Sequence, residues 1–386
     1  MAISAKELPL GKVFTPDFRF TIPSFQRAYI WKAENILQLV SDLDDACKSP
    51  GTPYFLGSLI LVREGDNRYD VIDGQQRLVS LSIIIAVLRD LERDPDLMRQ
   101  LDALLVEPGD KLRGIVTEPR LTLRERDAAF FREHVQEDNL ESVFDMNDDD
   151  LATAAQRNIV ANIRKTYDEI SNWSASERQQ FAQYLVNEVT LVIVTTDDLD
   201  GAHRIFDVMN MRGLPLTPSD VFKARATASL STAELDVYAA RWDDIIDPIG
   251  DDPHDCEEFF AYLHLVLTHK PATDKLIEDF LADVLQPYID KGTVPTFINQ
   301  VLAPYAMAWR IIARPSDTVL PAEVRGRLEG LDDYRSHEWK PVAMWALVNS
   351  YRGLGDADLS PFVVRASRIA RTTATLASLG AHDERR

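Results

Sequence analysis

A chain of 386 residues, 45% hydrophobic and 27% charged, has globular composition and material for two or three domains. Its net charge of −20 excludes a surface that embraces nucleic acid throughout, since each phosphate contact needs a cation; a nucleic-acid site must be a local groove. Two distant cysteines, Cys47 and Cys256, exclude a disulfide framework and fit a reducing cytoplasm, the expected location. The N-terminus lacks the apolar core of a signal peptide. The longest strongly apolar piece, 81–88, is too short to cross a bilayer, so no membrane partner is expected.

Residues 1–16 read as a short helix or loop, and 17–22 as an extended segment with period-two alternation that Pro23 stops. Next comes a cluster of rings around Gln26 and Arg27: Phe25, Tyr29 and Trp31. It reads as a loop whose rings plug a core, which suits Tyr29 and Trp31, or as a recognition lip in which Phe25 stacks while Gln26 and Arg27 donate to phosphate. An amphipathic helix follows over 34–47. Residues 54–63 and 69–73 alternate as strands, joined by a Gly- and Asp-rich turn at 64–68, and form a hairpin.

The hairpin delivers the chain into Asp73-Gly74-Gln75-Gln76-Arg77 and an apolar helix carrying Leu78, Leu81, Ile84, Ile85 and Leu88 at helical spacing. Strand, glycine, helix puts bare N–H groups and the positive end of a helix dipole at one point, which attracts anions. Asp73 is the expected N-cap, accepting from Gln75 or Gln76. Arg77 opposes the dipole in the first turn. The stretch is therefore a capped buried helix with its arginine paired to a carboxylate, or an anion site in which Arg77 and the helix N-terminus hold phosphate together.

Beyond residue 95 the pattern is mostly helical. Residues 94–113 are acidic and leucine-bearing. Residues 115–126 suggest a short hairpin whose Arg120, Arg124 and Arg126 are a second phosphate contact or, preferred, a solvated face paired with Glu118, Glu125 and Asp127. Residues 137–150 read as an exposed acidic loop, 151–173 and 176–187 as helices, and the β-branched run 189–195 as a strand. Asn210, Arg212, Asp220 and Lys223 gather around a sharp turn. There Thr217 is a natural N-cap, Pro218 a natural first helical residue and Asp220 the return of a capping box. Helices are expected over 233–246, 257–269, 274–285, 294–312, 321–331, 337–351 and 360–379. His264 and His269 miss same-face spacing, so no metal site is expected. The last residues read as the start of a further helix, as if the chain continued.

Four blocks together resemble a known family. Ile22-Pro-Ser-Phe25-Gln26-Arg27-Ala-Tyr29-Ile-Trp31, Tyr54-Phe-Leu-Gly57-Ser58, Asp73-Gly74-Gln75-Gln76-Arg77 and Phe206-Asp-Val-Met-Asn210-Met-Arg212-Gly213, running on to Lys223, are similar to the DUF262 domain. That domain is the N-terminal module of GmrSD-type modification-dependent restriction enzymes and of phosphorothioate-sensing SspE proteins. The resemblance covers 10–230. It implies an α+β fold, with a ParB- and sulfiredoxin-like N-terminal domain at 1–95 and a helical extension with the second signature at 96–230; the helical pattern of 231–386 reads by itself as a bundle. In many members an HNH nuclease domain follows; no such signature is present in this chain.

The resemblance further implies NTP hydrolysis, with GTP or ATP and accompanying Mg2+, coupled to recognition of backbone- or base-modified DNA in defence against phage. Phosphorothioate is the expected modification and glucosylated hydroxymethylcytosine the competing one. Asp73, Gln75, Gln76 and Arg77 are the expected catalytic set. Arg27, Gly74, Asn210, Arg212 and Lys223 are expected to bind nucleotide, and Phe25, Gln26, Arg27, Tyr29 and Arg124 to contact DNA. Asn210 or Arg212 should approach the 73–77 turn. A non-catalytic nucleotide-gated module remains the alternative, and a homo-oligomer is open.

Overall fold

The strand–glycine–helix run is the spine of the first of two units into which the chain divides, Met1–Pro215 and Leu216–Arg386. The computed structural model describes residues 3–49, 51, 53–109, 112, 114, 116–137, 139–198, 201–202, 217–250, 253–273, 275–317, 325–326, 328–330 and 339–351.

In chain order the first unit carries β1 (Ser4–Pro9), α1 (Leu10–Val13), β2 (Arg19–Thr21), α2 (Ala33–Cys47), β3 (Tyr54–Arg63), β4 (Arg68–Asp73) and α3 (Gln75–Leu91). Then come α4 (Pro95–Leu105), β5 (Val106–Glu107), β6 (Glu118–Pro119), β7 (Leu121–Thr122), α5 (Glu125–Phe131), α6 (Ala154–Ser171), α7 (Ala175–Asn187) and β8 (Val189–Thr196). Six strands form a mixed sheet in the order β1-β8-β3-β4-β2-β7. β3 and β4 are the expected hairpin, with Leu61 opposite Val71 and Arg63 opposite Tyr69. β8 runs parallel to β3 and antiparallel to β1. β2 runs parallel to both β4 and β7.

α3 is apolar on all sides and correspondingly buried on all sides: Leu78, Val79, Leu81, Ile83, Ile84 and Ile85 are fully enclosed. Its two interior serines are bonded. Ser82 donates to the Leu78 carbonyl (2.9 Å) and Ser80 pairs with the Tyr29 hydroxyl (2.7 Å). Leu59, Leu61, Tyr69 and Val71 of the sheet share this core with Ile36, Val40 and Leu43 of α2 and Ile159 and Ile163 of α6.

Three readings change. Residues 4–9 form an edge strand because β8 offers a backbone partner, not because the residues favour strands. Residues 118–122 do not fold back locally: β6 pairs with β5, and β7 joins the main sheet beside β2. The acidic stretch at 137–150 is not wholly exposed, since Leu140 and Val143 anchor a 3-10 turn in the core.

One strand residue carries an electrostatic penalty. Partial burial, reinforced by Glu64, pushes the Asp70 carboxyl up to about 6. A folded pKa above the unfolded value of about 3.9 means that this group's contribution to stability falls as pH rises from about 4 through 6. Asp70→Asn is therefore expected to raise stability at pH 7.5 by about 1 kcal/mol, after discounting for solvent screening of a half-buried group, and to change nothing at pH 4. Urea titrations at the two pH values check this.

The second unit is helical in its described residues: α8 (Pro218–Thr227), α9 (Thr232–Ile246), α10 (Pro253–Thr268), α11 (276–290), α12 (294–313) and α13 (Trp339–Tyr351). α8 begins as its sequence dictates. Thr217 caps the Asp220 N–H, and Asp220 returns to the Thr217 N–H (2.9 Å). Aromatic rings fill this core, with Phe222 stacked on Phe280 at 4.4 Å. The fold is thus α+β followed by a helical region. Among the described residues no helix is long and apolar enough to cross a membrane. The helix expected at 360–379 lies outside the described residues.

Candidate functional site

Strand directions decide what meets at one edge of the sheet. β4 ends where β3 begins, and β2 and β7 run parallel to β4, so they end at that same edge. The edge therefore carries the start of β3, the turn after β4, the segment after β2 that includes Phe25, Gln26 and Arg27, and Arg124 after β7.

The turn after β4 differs from expectation in one respect. Gly74, not Asp73, is the N-cap of α3; it lies in the left-handed region at φ +99, and no side chain caps the first turn. Glycine is needed there twice over, because a Cβ would also collide with Leu59. Asp73 stays in β4, and its carboxylate accepts from Arg77 Nη2 at 3.1 Å. The first hydrogen bond of the helix runs from the Leu78 N–H to the Gly74 carbonyl (3.0 Å). The N–H groups of Gln75, Gln76 and Arg77 thus face the sheet edge at the positive end of a 17-residue helix.

Arg77 reaches across to β3. Its Nη1 donates to the Leu56 carbonyl at 3.3 Å, and its guanidinium lies against Gly57, where φ is +114. β3 is irregular here, shifting register against β8 between Phe55 and Ser58. The arginine is 19% exposed and Asp73 30%, so both remain within reach of a ligand.

The two glutamines have different surroundings. Gln76 Oε1 accepts from the N–H groups of Ile30 (2.9 Å) and Trp31 (3.1 Å), and its Nε2 donates to the Ala28 carbonyl (3.1 Å). Gln76 therefore clamps the aromatic segment to α3. Gln75 is equally buried at 7% exposed, yet no described residue hydrogen-bonds its amide. No Gln75 atom is among the fully enclosed, unbonded polar atoms, so its amide keeps solvent access beside the first helical N–H groups and can meet an oxygen-rich ligand.

The segment at 23–31 is held from several sides. Gln26 Nε2 donates to the Ile72 carbonyl (3.0 Å), one residue before Asp73. Asn162 donates to the Tyr29 hydroxyl (2.7 Å) and the Trp31 carbonyl (2.8 Å), and Asn158 to the Tyr29 carbonyl (3.1 Å). Phe25 and Arg27 remain partly exposed on this scaffold.

Two residues expected at DNA are not placed to touch it. Tyr29 is 1% exposed, and its hydroxyl is held by Ser80 and Asn162; burial pushes its pKa well above the usual phenol range. Arg124 is buried against Asp127 (3.1 Å), whose other oxygen accepts from Thr153 (2.7 Å), and it reaches the Gln26 carbonyl at 3.4 Å. Its charge is matched inside the fold, so it orders the loop. Arg120 is likewise buried on Glu107 (2.7 Å). In the second unit Lys223 is 2% exposed, with its ammonium on both oxygens of Asp243 (2.8 and 3.0 Å). This pairing makes it a core ion pair, not a ligand donor. Asn210 and Arg212 lie outside the described residues. Among the described residues no cluster of three metal-ligating side chains occurs.

Leu56 and Gly57 are site elements that the motifs do not single out as ligand-facing. A glycine inside a strand pattern was their signal, since it marks a bulge or a close approach. Asn158 and Asn162 gave no signal, being ordinary polar residues on an amphipathic helix.

A cation beside an uncapped helix start, at the end of a mixed sheet, is a strand–glycine–helix arrangement whose geometry suits an anion. The family model of the GmrSD restriction endonuclease N-terminal domain matches residues 10–227, more than half of the chain, and the chain belongs to that family. No curated protein matches it. Membership places the chain in a family of restriction-system modules.

Proposed function

We propose that the first unit binds a nucleoside triphosphate, GTP or ATP, at the start of α3 and hydrolyses it in response to modified DNA. The observation that carries this reading is the uncapped first turn of α3, with Arg77 beside it and the Gln75 amide next to it hydrogen-bonded to no described residue. Backbone N–H groups and one guanidinium can hold phosphate oxygens bidentately. Phosphoryl transfer needs positioning and electrostatic stabilisation more than covalent help, and this arrangement can supply both. Among the described residues Asp73 is the carboxylate at the turn. It suits a Mg2+ ion carried in by the triphosphate, since such ions take one or two carboxylates and otherwise phosphate and water. Gln75 is then the amide left to orient water, because Gln76 is committed to the 28–31 backbone. The ParB-like character of the fold rests on the Gly74-x-x-Arg77 turn.

DNA would be read at the lip formed by Phe25 and Arg27, with Gln26 helping to set its distance from β4. A phosphorothioate replaces one phosphate oxygen with a large, poorly hydrated sulfur, and an aromatic ring beside a cation suits that pairing. Glucosylated hydroxymethylcytosine is the competing ligand. A nucleotide-gated module without turnover is the second reading, favoured by the engagement of Gln76 and by the Asp73–Arg77 ion pair.

Phosphate release from GTP and ATP, with and without phosphorothioate duplex, tests the proposal. Wild-type protein is expected to release phosphate faster with modified DNA, and Arg77→Ala is expected to lose at least ~100-fold, the scale of removing one charge-stabilising donor. Equal rates for the two proteins would remove hydrolysis from this site. Tight nucleotide binding without release would establish the gated module.

A further inference from the structure

Phe55 is 60% exposed although it lies on β3, inside the sheet between β8 and β4. Interior strands normally hide their aromatic rings, because each buries a large apolar area at little entropic cost. Here β4 has already ended: Asp73 pairs with Ile60, and residues 54–59 of β3 run on beside the turn that opens α3. Among the described residues Phe55 pairs with Thr190 of β8 and with none of β4, immediately before the register shift. Its neighbour Leu56 gives its carbonyl to Arg77, and Gly57 keeps the space under the guanidinium clear. Phe55 is thus one residue, ~3.3–3.6 Å of extended chain, from the carbonyl that holds the guanidinium. A base that extends from phosphates at the start of α3 along β3 would meet this exposed ring. Tyr54 and Leu56 pack onto the core, whereas Phe55 does not take part in it.

We infer that Phe55 is the stacking surface for the base of the nucleotide whose phosphates sit at the start of α3. The inference rests on the nucleotide reading above and adds what an anion site alone lacks, a reason to prefer a nucleotide over a bare polyphosphate. An aromatic ring stacks on any base, since every base offers a π face, so the site would take purine and pyrimidine triphosphates with only modest preference. Preference among bases would have to come from hydrogen bonds that Phe55 cannot make.

Calorimetric titration of the full chain with GTP, ATP, CTP and inorganic tripolyphosphate tests this. Wild type should bind the nucleotides more tightly than tripolyphosphate. Phe55→Ala should weaken nucleotide binding roughly 5- to 100-fold while leaving tripolyphosphate unchanged. Phe55→Trp should restore nucleotide affinity, and its indole fluorescence should be quenched by the bases but not by tripolyphosphate. Because the side chain is exposed, both variants should melt with wild type. If Phe55→Ala binds nucleotide as wild type does, the stacking role fails while the nucleotide site stands. If wild type binds tripolyphosphate as tightly as any nucleotide, the stacking role fails and a simple anion site remains. Binding of neither would overturn both the inference and the nucleotide reading.

Discussion

Gly57→Ala is expected to disable the site nearly as severely as removing Arg77, although it replaces no side chain that meets ligand. Gly57 sits at φ +114, which an L-residue adopts only with strain of about 1–3 kcal/mol. The larger effect is steric. A methyl at this position would occupy the space of Arg77 Nη1, so the guanidinium must leave the Leu56 carbonyl that holds it at 3.3 Å. Charge-assisted hydrogen bonds contribute about 1.5–3 kcal/mol each, so losing one to the anion should weaken triphosphate binding about 10- to 100-fold. Gly51→Ala is the matched control: φ there is +82, with nothing within 4 Å of an added Cβ, so it imposes strain without a clash. Titration with tripolyphosphate and thermal melts of both variants make the comparison. If Gly51→Ala loses as much binding as Gly57→Ala, strain and not displacement of Arg77 is responsible, and the guanidinium is not a ligand.

What could be read without coordinates follows from how local each signal is. The β3–β4 hairpin, the glycine break and α3 are coded by alternation and spacing within 40 contiguous residues, and they form where the pattern puts them. The cap at Thr217 and Asp220 spans four residues and was equally legible. Strand β1 was not, because Ser4–Pro9 has little strand propensity and becomes a strand only when β8, far along the chain, lies beside it. The site divides in the same way. Arg77 beside Asp73 is a four-residue relation, and pairing with a carboxylate was one of the two readings its sequence allowed. The fates of Gln76 and Tyr29 depend on partners more than 40 residues away, the backbone at 28–31 for one and Ser80 and Asn162 for the other. Arg124 shows the hazard of reading cations one by one: its neighbour Asp127 was visible, but only the fold turns that pair inward. Buried cations and exposed cations have the same letters.

Arg89→Met should cost the first unit more stability than any other single change considered, and the reason lies at the far end of the helix that carries the site. Arg89 is in the last turn of α3, where a cation complements the dipole, and it is only 2% exposed. Its Nη1 donates to Asp102 (2.8 Å) and to the Gln136 carbonyl (2.8 Å); its Nη2 donates to the carbonyls of Glu137 (2.9 Å) and Val135 (3.3 Å). Those carbonyls close the π turn Arg132–Gln136 that continues α5, so one guanidinium caps the end of a second helical segment. Methionine fills similar volume but leaves buried carbonyls dry and Asp102 without its cation. Asp102 is half exposed and regains water, but each buried carbonyl left without its donor costs about 1–3 kcal/mol, so the loss should be about 3–5 kcal/mol. In a unit of this size that corresponds to a fall in Tm of about 10 °C. Arg89→Lys should recover only part of the loss, because an ammonium is a point donor and cannot span four acceptors with a planar fork. Chemical denaturation of the three proteins measures both differences. Since α3 presents its N-terminus to the ligand, saturating nucleotide should raise the melting temperature of Arg89→Met by mass action much as it raises that of wild type. A loss below about 1 kcal/mol would mean that water replaces the guanidinium at the carbonyls, and that α3 is held by its apolar faces alone.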